Sequence, residues 1–114
     1  MIEEEKILDL TVDTFDNFVK NQKTRVLVDF WASWCQPCKK LHPVIQDIAN
    51  IYSGRLVVAK LDVGLSDDRT IIDRYDIKGI PLLMLFEDGD VIAKKCGGRL
   101  SRSDICAFID EALV

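Results

Sequence analysis

The stretch FWASWCQPCKK, residues 30–40, places two cysteines three positions apart around Gln36 and Pro37. Pro37 suits the first turn of a helix, because its missing N–H would have no partner there. Cys35 would then lie at the helix N-terminus and Cys38 one turn further along, on the same face. The dipole and the free N–H groups at that end stabilise a thiolate, as a nucleophilic cysteine requires. The spacing therefore favours a redox-active pair.

Two other roles for this pair, half of a zinc site and a structural crosslink, fit the rest of the sequence less well. Zinc would need further ligands, and Cys96, Cys106 and His42 do not form a second closely spaced pair. The 114 residues are 48% apolar, which is enough for a core that needs neither a metal nor a disulfide. We therefore expect no metal site.

The composition and the charge argue against several classes of function. The 15 basic and 19 acidic residues are interspersed and give a net charge of −4, so we expect no nucleic-acid partner. The segment MIEEEKILDL is acidic where a signal peptide would be basic, and no apolar stretch is long enough to cross a bilayer. We expect a cytoplasmic protein without a membrane partner, in a compartment where structural disulfides are rare.

The apolar pattern predicts strands alternating with helices in one domain, residues 1–114. Strands are predicted at 7–10, 25–30, 56–63, 82–86 and 91–95, and helices after Thr11 or Asp13, after the cysteine pair, at 66–75 and after Ser101. Asp88-Gly89 predicts a hairpin between the last two strands. Pro43 falls inside the second helix and should kink it. This order predicts an α/β fold whose central sheet is covered by helices on both faces.

Two charged residues lie inside predicted buried strands. Asp29 belongs to the run VLVDF, where burial would raise its pKa toward that of a general base near neutral pH. Alternatively, Asp29 lies at a frayed strand end and faces water. Lys60, in VAKLD, is either the counter-ion of Asp29 or a lysine whose stem reaches the surface. The local pattern is compatible with either choice for both residues.

Gly79-Ile80-Pro81 directly precedes the predicted strand 82–86. A proline that opens a strand is either an ordinary start residue or the second residue of a cis peptide bond. The sequence pattern is compatible with both.

The chain resembles the thioredoxin family almost from end to end. The matching motifs, in the family's order and spacing, are Val28-Asp29-Phe30-Trp31-Ala32-x-Trp34-Cys35-x-Pro37-Cys38-Lys39, Pro43, Lys60, and Gly79-Ile80-Pro81 before an apolar strand. Cys-x-x-Cys beside a βαβ pattern is the standard example of a thioredoxin-like redox motif. The resemblance implies the thioredoxin fold, a three-layer α/β/α arrangement in which four helices flank a mixed sheet of about five strands. It also implies a protein-disulfide reductase.

The resemblance further implies a role for each matching residue. Cys35 would be the exposed nucleophile and Cys38 the buried resolving thiol. Asp29 would be the general base behind Cys38, with Lys60 near it. The Ile80–Pro81 bond would be cis and would face the cysteines. Contacts with the substrate are implied for the residues around the pair, namely Trp31, Trp34, Gln36, Pro37, Ile80, Pro81 and Gly97.

By the same resemblance, the chain binds no cofactor and receives electrons from NADPH through a flavoprotein thioredoxin reductase. Its partners would be that reductase and disulfide-containing substrate proteins, and it would act as a monomer. One alternative is a non-catalytic binding subunit with this fold, which the intact pair together with Asp29 and Pro81 disfavours. Another is an oxidant or isomerase, for which we would expect an exported chain and often a histidine between the cysteines.

Four features depart from the family pattern. Gln36 replaces the usual glycine, and it either adjusts the reduction potential or points to solvent with little effect. Leu82 stands where the family usually has threonine, which makes the floor of the substrate groove more apolar. The turn at residues 97–99 is one residue longer. Cys96 and Cys106 are additional cysteines, and we expect both to be buried. The alternatives are that Cys96, next to Gly97 and the presumed groove, is open to modification or mixed disulfides, or that the two form a bridge with each other.

Overall fold

Five strands form one mixed sheet in this computed structural model, which describes residues 4–97 and 99–113. The strands are β1 (Leu8–Leu10), β2 (Arg25–Trp31), β3 (Leu56–Asp62), β4 (Leu82–Glu87) and β5 (Asp90–Cys96). They lie in the order β1-β3-β2-β4-β5, in which β1, β3 and β2 are parallel and β4 and β5 are antiparallel to their neighbours. Each strand boundary lies within one residue of its predicted position.

Four helices cover the two faces of this sheet. They are α1 (Val12–Lys20), α2 (Gln36–Ile51), α3 (Thr70–Arg74) and α4 (Arg102–Leu113). Phe15 of α1 and Ile71 of α3 pack in one apolar cluster with Val28, whereas Ile45 of α2 and Ile109 of α4 pack in another on the opposite face. Because β2 is buried on both faces, its residues do not alternate between apolar and polar, and Asp29 is the one charged residue among its buried positions. The predicted three-layer thioredoxin fold is confirmed.

Side-chain caps fix where α1 and α4 begin. Thr11 accepts a hydrogen bond from the Thr14 N–H at 3.2 Å, and the Thr14 hydroxyl accepts one from the Thr11 N–H at 2.9 Å. Ser101 and Asp104 form the same reciprocal pair, with distances of 3.1 Å and 2.9 Å. Such capping boxes satisfy backbone donors that a helix terminus leaves free. Thr11, not Asp13, is therefore the cap of α1, and Ser101 precedes α4 as predicted.

The third helix is shorter than the sequence predicted, and the prediction of a helix beginning at Ser66 was wrong. The Ser66 hydroxyl accepts a hydrogen bond from the Asp68 N–H at 3.1 Å, and an Asp68 carboxylate oxygen accepts one from the Thr70 N–H at 2.9 Å. These short-range bonds satisfy the backbone without a helix. The polar run Ser-Asp-Asp therefore forms turns, and α3 begins only at Thr70.

The Asp88-Gly89 pair forms the predicted two-residue hairpin turn. Both residues have positive φ, 52° and 87°, and Glu87 pairs with Asp90 across the turn. This is the geometry of a type I′ turn, in which glycine avoids the strain of a side chain. A Cβ atom added at Gly89 would lie 2.7 Å from Cγ of Lys20, at the end of α1. The turn thus also contacts the first helix.

Gly89→Ala is expected to lower the free energy of unfolding by about 1–2 kcal/mol, because alanine is strained at this φ and Lys20 must move. Gly54→Ala is the matched control, since Gly54 also has a positive φ of 82° but no neighbour within 4 Å of an added Cβ. It should cost about 1 kcal/mol from φ alone. Urea unfolding of both variants measures the difference. Equal losses would show that the Lys20 contact has no effect on stability.

Candidate active site

Cys35 and Cys38 lie at the start of α2, and their sulfurs are joined in a disulfide. The Cα atoms are 5.3 Å apart, and the Cys35 sulfur accepts a hydrogen bond from the Cys38 N–H at 3.3 Å. Cys35 is the N-cap residue, and Pro37 lies in the first turn as predicted. The helix N-terminus therefore faces the Cys35 sulfur and would stabilise its thiolate after reduction.

Only one of the two cysteines has accessible surface. Cys35 is 6% exposed and Cys38 is completely buried. Cys35 is thus less exposed than the family resemblance implied, but it is still the only sulfur-bearing residue of the pair that an external disulfide can reach.

The Ile80–Pro81 peptide bond is cis, as the resemblance implied, and it lies against the disulfide. The Cys35 sulfur is 3.9 Å from the carbonyl oxygen of Ile80. The Pro81 carbonyl oxygen accepts a hydrogen bond from the Gly97 N–H at 3.3 Å. This bond places Gly97 beside the cis proline. The fold thus brings together three segments that are far apart in the sequence.

Asp29 is fully buried in the middle of β2, and neither carboxylate oxygen has a hydrogen-bond partner among the described residues. Asp29 lies two residues after Leu27, which packs against α2. Side chains two positions apart in a strand point to the same face, so Asp29 lies on the face of the sheet that α2 covers. Burial raises the pKa of Asp29 from 3.8 to about 7, and the charge of Lys60 opposes this rise. The alternative of a solvent-facing strand end is therefore wrong, because Asp29 is paired on both sides within the sheet.

Lys60 stands between two carboxylates in a row that crosses the sheet. It is the cross-strand neighbour of both Asp9 on β1 and Asp29 on β2. Its Nζ lies 3.7 Å from an Asp9 carboxylate oxygen and 5.3 Å from the centre of the Trp31 ring. The ion pair of Lys60 is therefore with Asp9, and its influence on Asp29 is through charge. Sequence reasoning missed Asp9, because its nearness to Lys60 depends on the order of the strands.

His42 of α2 packs edge-on against Trp31, with the ring centres 4.6 Å apart. Its buried Nε2 and the indole nitrogen of Trp31 both lack hydrogen-bond partners within the described chain. Burial, followed by the charge of Lys60, lowers the pKa of His42 against the opposing charge of Asp9, which favours the neutral imidazole. The described residues contain no cluster of three or more His, Cys, Asp or Glu side chains suited to a metal ion.

The two additional cysteines have different environments, and both are free thiols. Cys106 of α4 is partly buried against the apolar cluster between α2 and α4, broadly as predicted. Cys96 is exposed, and the prediction that it is buried was wrong. It is the last residue of β5, an edge strand, on the same side as the exposed Lys94. The face of β5 that carries Lys94 and Cys96 is exposed to solvent, so the Cys96 thiol is accessible.

Two clefts flank the disulfide. The first, of about 390 Å³, is lined by Gln36, Pro37, Lys40, Ile80, Pro81 and Arg99. The second, of about 170 Å³, is lined by Trp34, Val63, Arg69, Ile72, Ile77, Lys78, Gly79 and Ile80. Trp34 is 71% exposed, whereas Trp31 is partly buried and packs against the cysteine pair from inside. Sequence reasoning missed Lys40 and Arg99. The predicted extra residue at 97–99 was an available signal for Arg99, and Gly98 within it lies outside the described residues.

Comparison with known proteins gives the family. A family model described as Thioredoxin matches residues 6–111. The chain belongs to the thioredoxin family. Thioredoxin C-2 of Corynebacterium nephridii is 41% identical over 92% of this chain and 94% of its own length. Thioredoxin of Pseudomonas aeruginosa is 43% identical over 93% of this chain and 95% of its own length. Thioredoxin of Allochromatium vinosum is 42% identical over 94% of this chain and 97% of its own length.

As a thioredoxin family member with a Cys35–Cys38 disulfide, the chain is a thiol-disulfide oxidoreductase that reduces protein disulfides. The redox interpretation of the cysteine pair is confirmed. Thioredoxins need no bound cofactor, and the family points to disulfide-containing substrates. Within residues 4–97 and 99–113, no helix has the length and apolar character needed to span a membrane.

Proposed function

We propose that Cys35 is the nucleophile that attacks disulfides of partner proteins, and that Cys38 resolves the intermediate. The position of Cys35 carries this proposal. It caps α2, it retains accessible surface where Cys38 has none, and its sulfur faces the carbonyl oxygen of Ile80. A helix N-terminus lowers the pKa of a thiol, so the reduced Cys35 would be the more readily ionised of the two.

In the first step, the Cys35 thiolate forms a bond to one sulfur of the substrate disulfide, and the other substrate sulfur leaves as a thiolate. In the second step, Cys38 transfers its proton to Asp29 and attacks the Cys35 sulfur, which releases the second substrate thiolate. The substrate gains two electrons and, after protonation, two protons, and the chain ends as the Cys35–Cys38 disulfide. A carboxylate with a pKa of about 7 can accept this proton near neutral pH.

We further propose that Lys60 keeps part of the Asp29 population ionised. Its charge lowers the pKa of Asp29 against the larger effect of burial. The ion pair with Asp9 holds the Lys60 ammonium group at 3.7 Å from a surface carboxylate, which limits how closely it can approach Asp29. Lys60 would therefore adjust the base without neutralising it.

The substrate would bind as an extended segment beside the cis proline, with hydrogen bonds to the main chain and contacts with nearby side chains. This place brings together Ile80, Pro81 and Gly97, since the Gly97 N–H donates a hydrogen bond to the Pro81 carbonyl oxygen. Trp34 lies in the cleft on one side and Gln36 and Pro37 in the cleft on the other. Trp31 would support the site from beneath through its contacts with the cysteine pair.

We also propose that residues 1–114 act as one cytoplasmic, monomeric domain that is re-reduced by NADPH through a flavoprotein thioredoxin reductase. The match to thioredoxins over most of the chain supports this electron source. With a bacterial thioredoxin reductase, NADPH and insulin, addition of the chain is expected to cause continuous loss of absorbance at 340 nm. A parallel reaction replaces NADPH and the reductase with dithiothreitol.

The two reactions separate the two parts of the proposal. Insulin reduction with dithiothreitol but not with NADPH, for reductases from several bacteria, would contradict the proposed electron source and leave the proposed site in place. No acceleration above dithiothreitol alone would contradict the proposed site itself.

A further inference from the structure

Two cations without an ion-pair partner line the larger cleft beside the disulfide. Lys40 extends from the second turn of α2, and Arg99 lies three residues after the end of β5. Both side chains are exposed, and neither forms an ion pair with any residue in the described ranges 4–97 and 99–113. Among the residues that the structure describes, no acidic side chain lines this cleft.

The cations on the other side of the disulfide differ in this respect. Arg69 and Lys78 line the smaller cleft, but each is close to an aspartate. Arg69 lies 3.9 Å from Asp73, and Lys78 lies 3.6 Å from Asp76. Among the described cations that line the two clefts, Lys40 and Arg99 are thus the ones without an ion-pair partner, on a chain whose net charge is −4.

The remainder of the larger cleft suits an extended peptide. Pro37, Ile80 and Pro81 provide an apolar surface for the aliphatic part of a side chain or for the main chain. Lys40 and Arg99 would then meet the polar end of that side chain. Arginine binds carboxylates through a planar pair of N–H donors, and lysine adds a point charge.

We infer that this cleft selects disulfides in which an aspartate or glutamate lies near the cysteine that Cys35 attacks. The carboxylate would bind between Lys40 and Arg99 while the peptide backbone lies along Pro81. This inference rests on the proposed function, because it concerns the substrate of the same site. Since the cleft is open to solvent, the preference acts on association more than on the chemical step and weakens with salt.

The test uses three cyclic disulfide peptides that differ only in the two residues flanking one cysteine, which are glutamate, glutamine or lysine. The pre-reduced chain is mixed with each peptide, and the rate of peptide reduction is measured by acid quench and mass spectrometry, without a reductase. The wild type is expected to reduce the glutamate peptide about fivefold faster than the glutamine peptide and to reduce the lysine peptide most slowly. In 0.5 M NaCl the three rates should converge.

The double variant Lys40→Glu, Arg99→Glu should reverse the order of the glutamate and lysine peptides. The ratio of these two rates is the readout, so a general loss of activity in the variant cancels. The matched control is Lys6→Glu, Lys23→Glu, which makes the same change of net charge ahead of β1 and β2, at the end of these strands opposite the start of α2 and the disulfide. Its ratio should stay that of the wild type.

The outcomes distinguish this inference from the function on which it rests. Equal wild-type rates on all three peptides, or an unchanged ratio in the Lys40–Arg99 variant, would overturn the inference and leave the reductase function intact. An equal reversal in the control variant would also overturn it, because the effect would then come from net charge. No reduction of any peptide would contradict the proposed function and, with it, the inference.

Discussion

Cys35→Ser is expected to reduce disulfide-reductase turnover by at least about 10³-fold, because no other sulfur of the pair is accessible to a substrate. Cys38→Ser should reduce turnover to a similar extent, but by blocking the second step, in which the mixed disulfide is resolved. With Cys38 absent, the bond between Cys35 and the substrate sulfur has no internal thiol to resolve it. The Cys38 variant should therefore accumulate a covalent adduct, which the Cys35 variant should not form.

Mass spectrometry under non-reducing conditions measures this difference as a mass gain equal to the substrate and reversed by dithiothreitol. The exposed thiol of Cys96 could form an adduct of its own, so both variants are made in a Cys96→Ser background. The Cys96→Ser protein with an intact pair is the matched control and should turn over normally. Adduct formation by the Cys35→Ser, Cys96→Ser protein would contradict the proposed order of the two cysteines.

Asp29→Asn is expected to change the pH dependence of stability. Burial raises the pKa of Asp29 from 3.8 in its ordinary state to about 7, so the folded chain holds this proton more tightly than the unfolded chain does. Between these two values the folded state binds more protons, and the contribution of Asp29 to stability is therefore lost as the pH rises. A shift of about three units corresponds to about 4 kcal/mol.

The measurement is urea unfolding of the oxidised chain at pH 4 and pH 8. From pH 4 to pH 8, the free energy of unfolding of the wild type should fall by about 4 kcal/mol more than that of Asp29→Asn. Asp47→Asn is the control, since Asp47 is exposed and only 3.9 Å from Arg102 in a surface ion pair. A difference for Asp29→Asn that stays constant with pH would show that the folded state does not raise this pKa.

The same Asp29 variant also tests the proposed general base. Loss of the proton acceptor should slow resolution by Cys38 by about 10²-fold in a single turnover at pH 7. The wild-type rate should rise through a pKa near 7, and this dependence should disappear in the variant. Unchanged single-turnover kinetics would contradict the role of Asp29 as a base even if the stability result holds.

The sequence predicted the features that depend on neighbouring residues. The caps Thr11 and Ser101, the Asp88-Gly89 turn and the apolar runs of β2 and β3 act within one element, so their patterns are readable locally. The beginning of α3 was misplaced because the same polar side chains can cap a helix or form turns.

Features that depend on chain segments distant in sequence could not be read in this way. The ion pair of Lys60 with Asp9 follows from β1 lying next to β3, and the exposure of Cys96 follows from β5 lying at an edge. Lys40 and Arg99 line one cleft only because the fold places Arg99, beyond the end of β5, near the start of α2. The cis bond was inferred from family resemblance, since its local pattern also fits a trans proline.

The 5.3 Å separation of the Cys35 and Cys38 Cα atoms has a kinetic consequence. Because one helical turn holds the second thiol beside the first, the attack that frees the substrate is intramolecular, and its effective concentration far exceeds that of any thiol in solution. The covalent complex should thus be short-lived in the unmodified chain, whatever small thiols surround it. Partners of this protein would therefore escape detection by simple co-purification. They would be captured only when Cys38 is replaced, so that the mixed disulfide with Cys35 is not resolved.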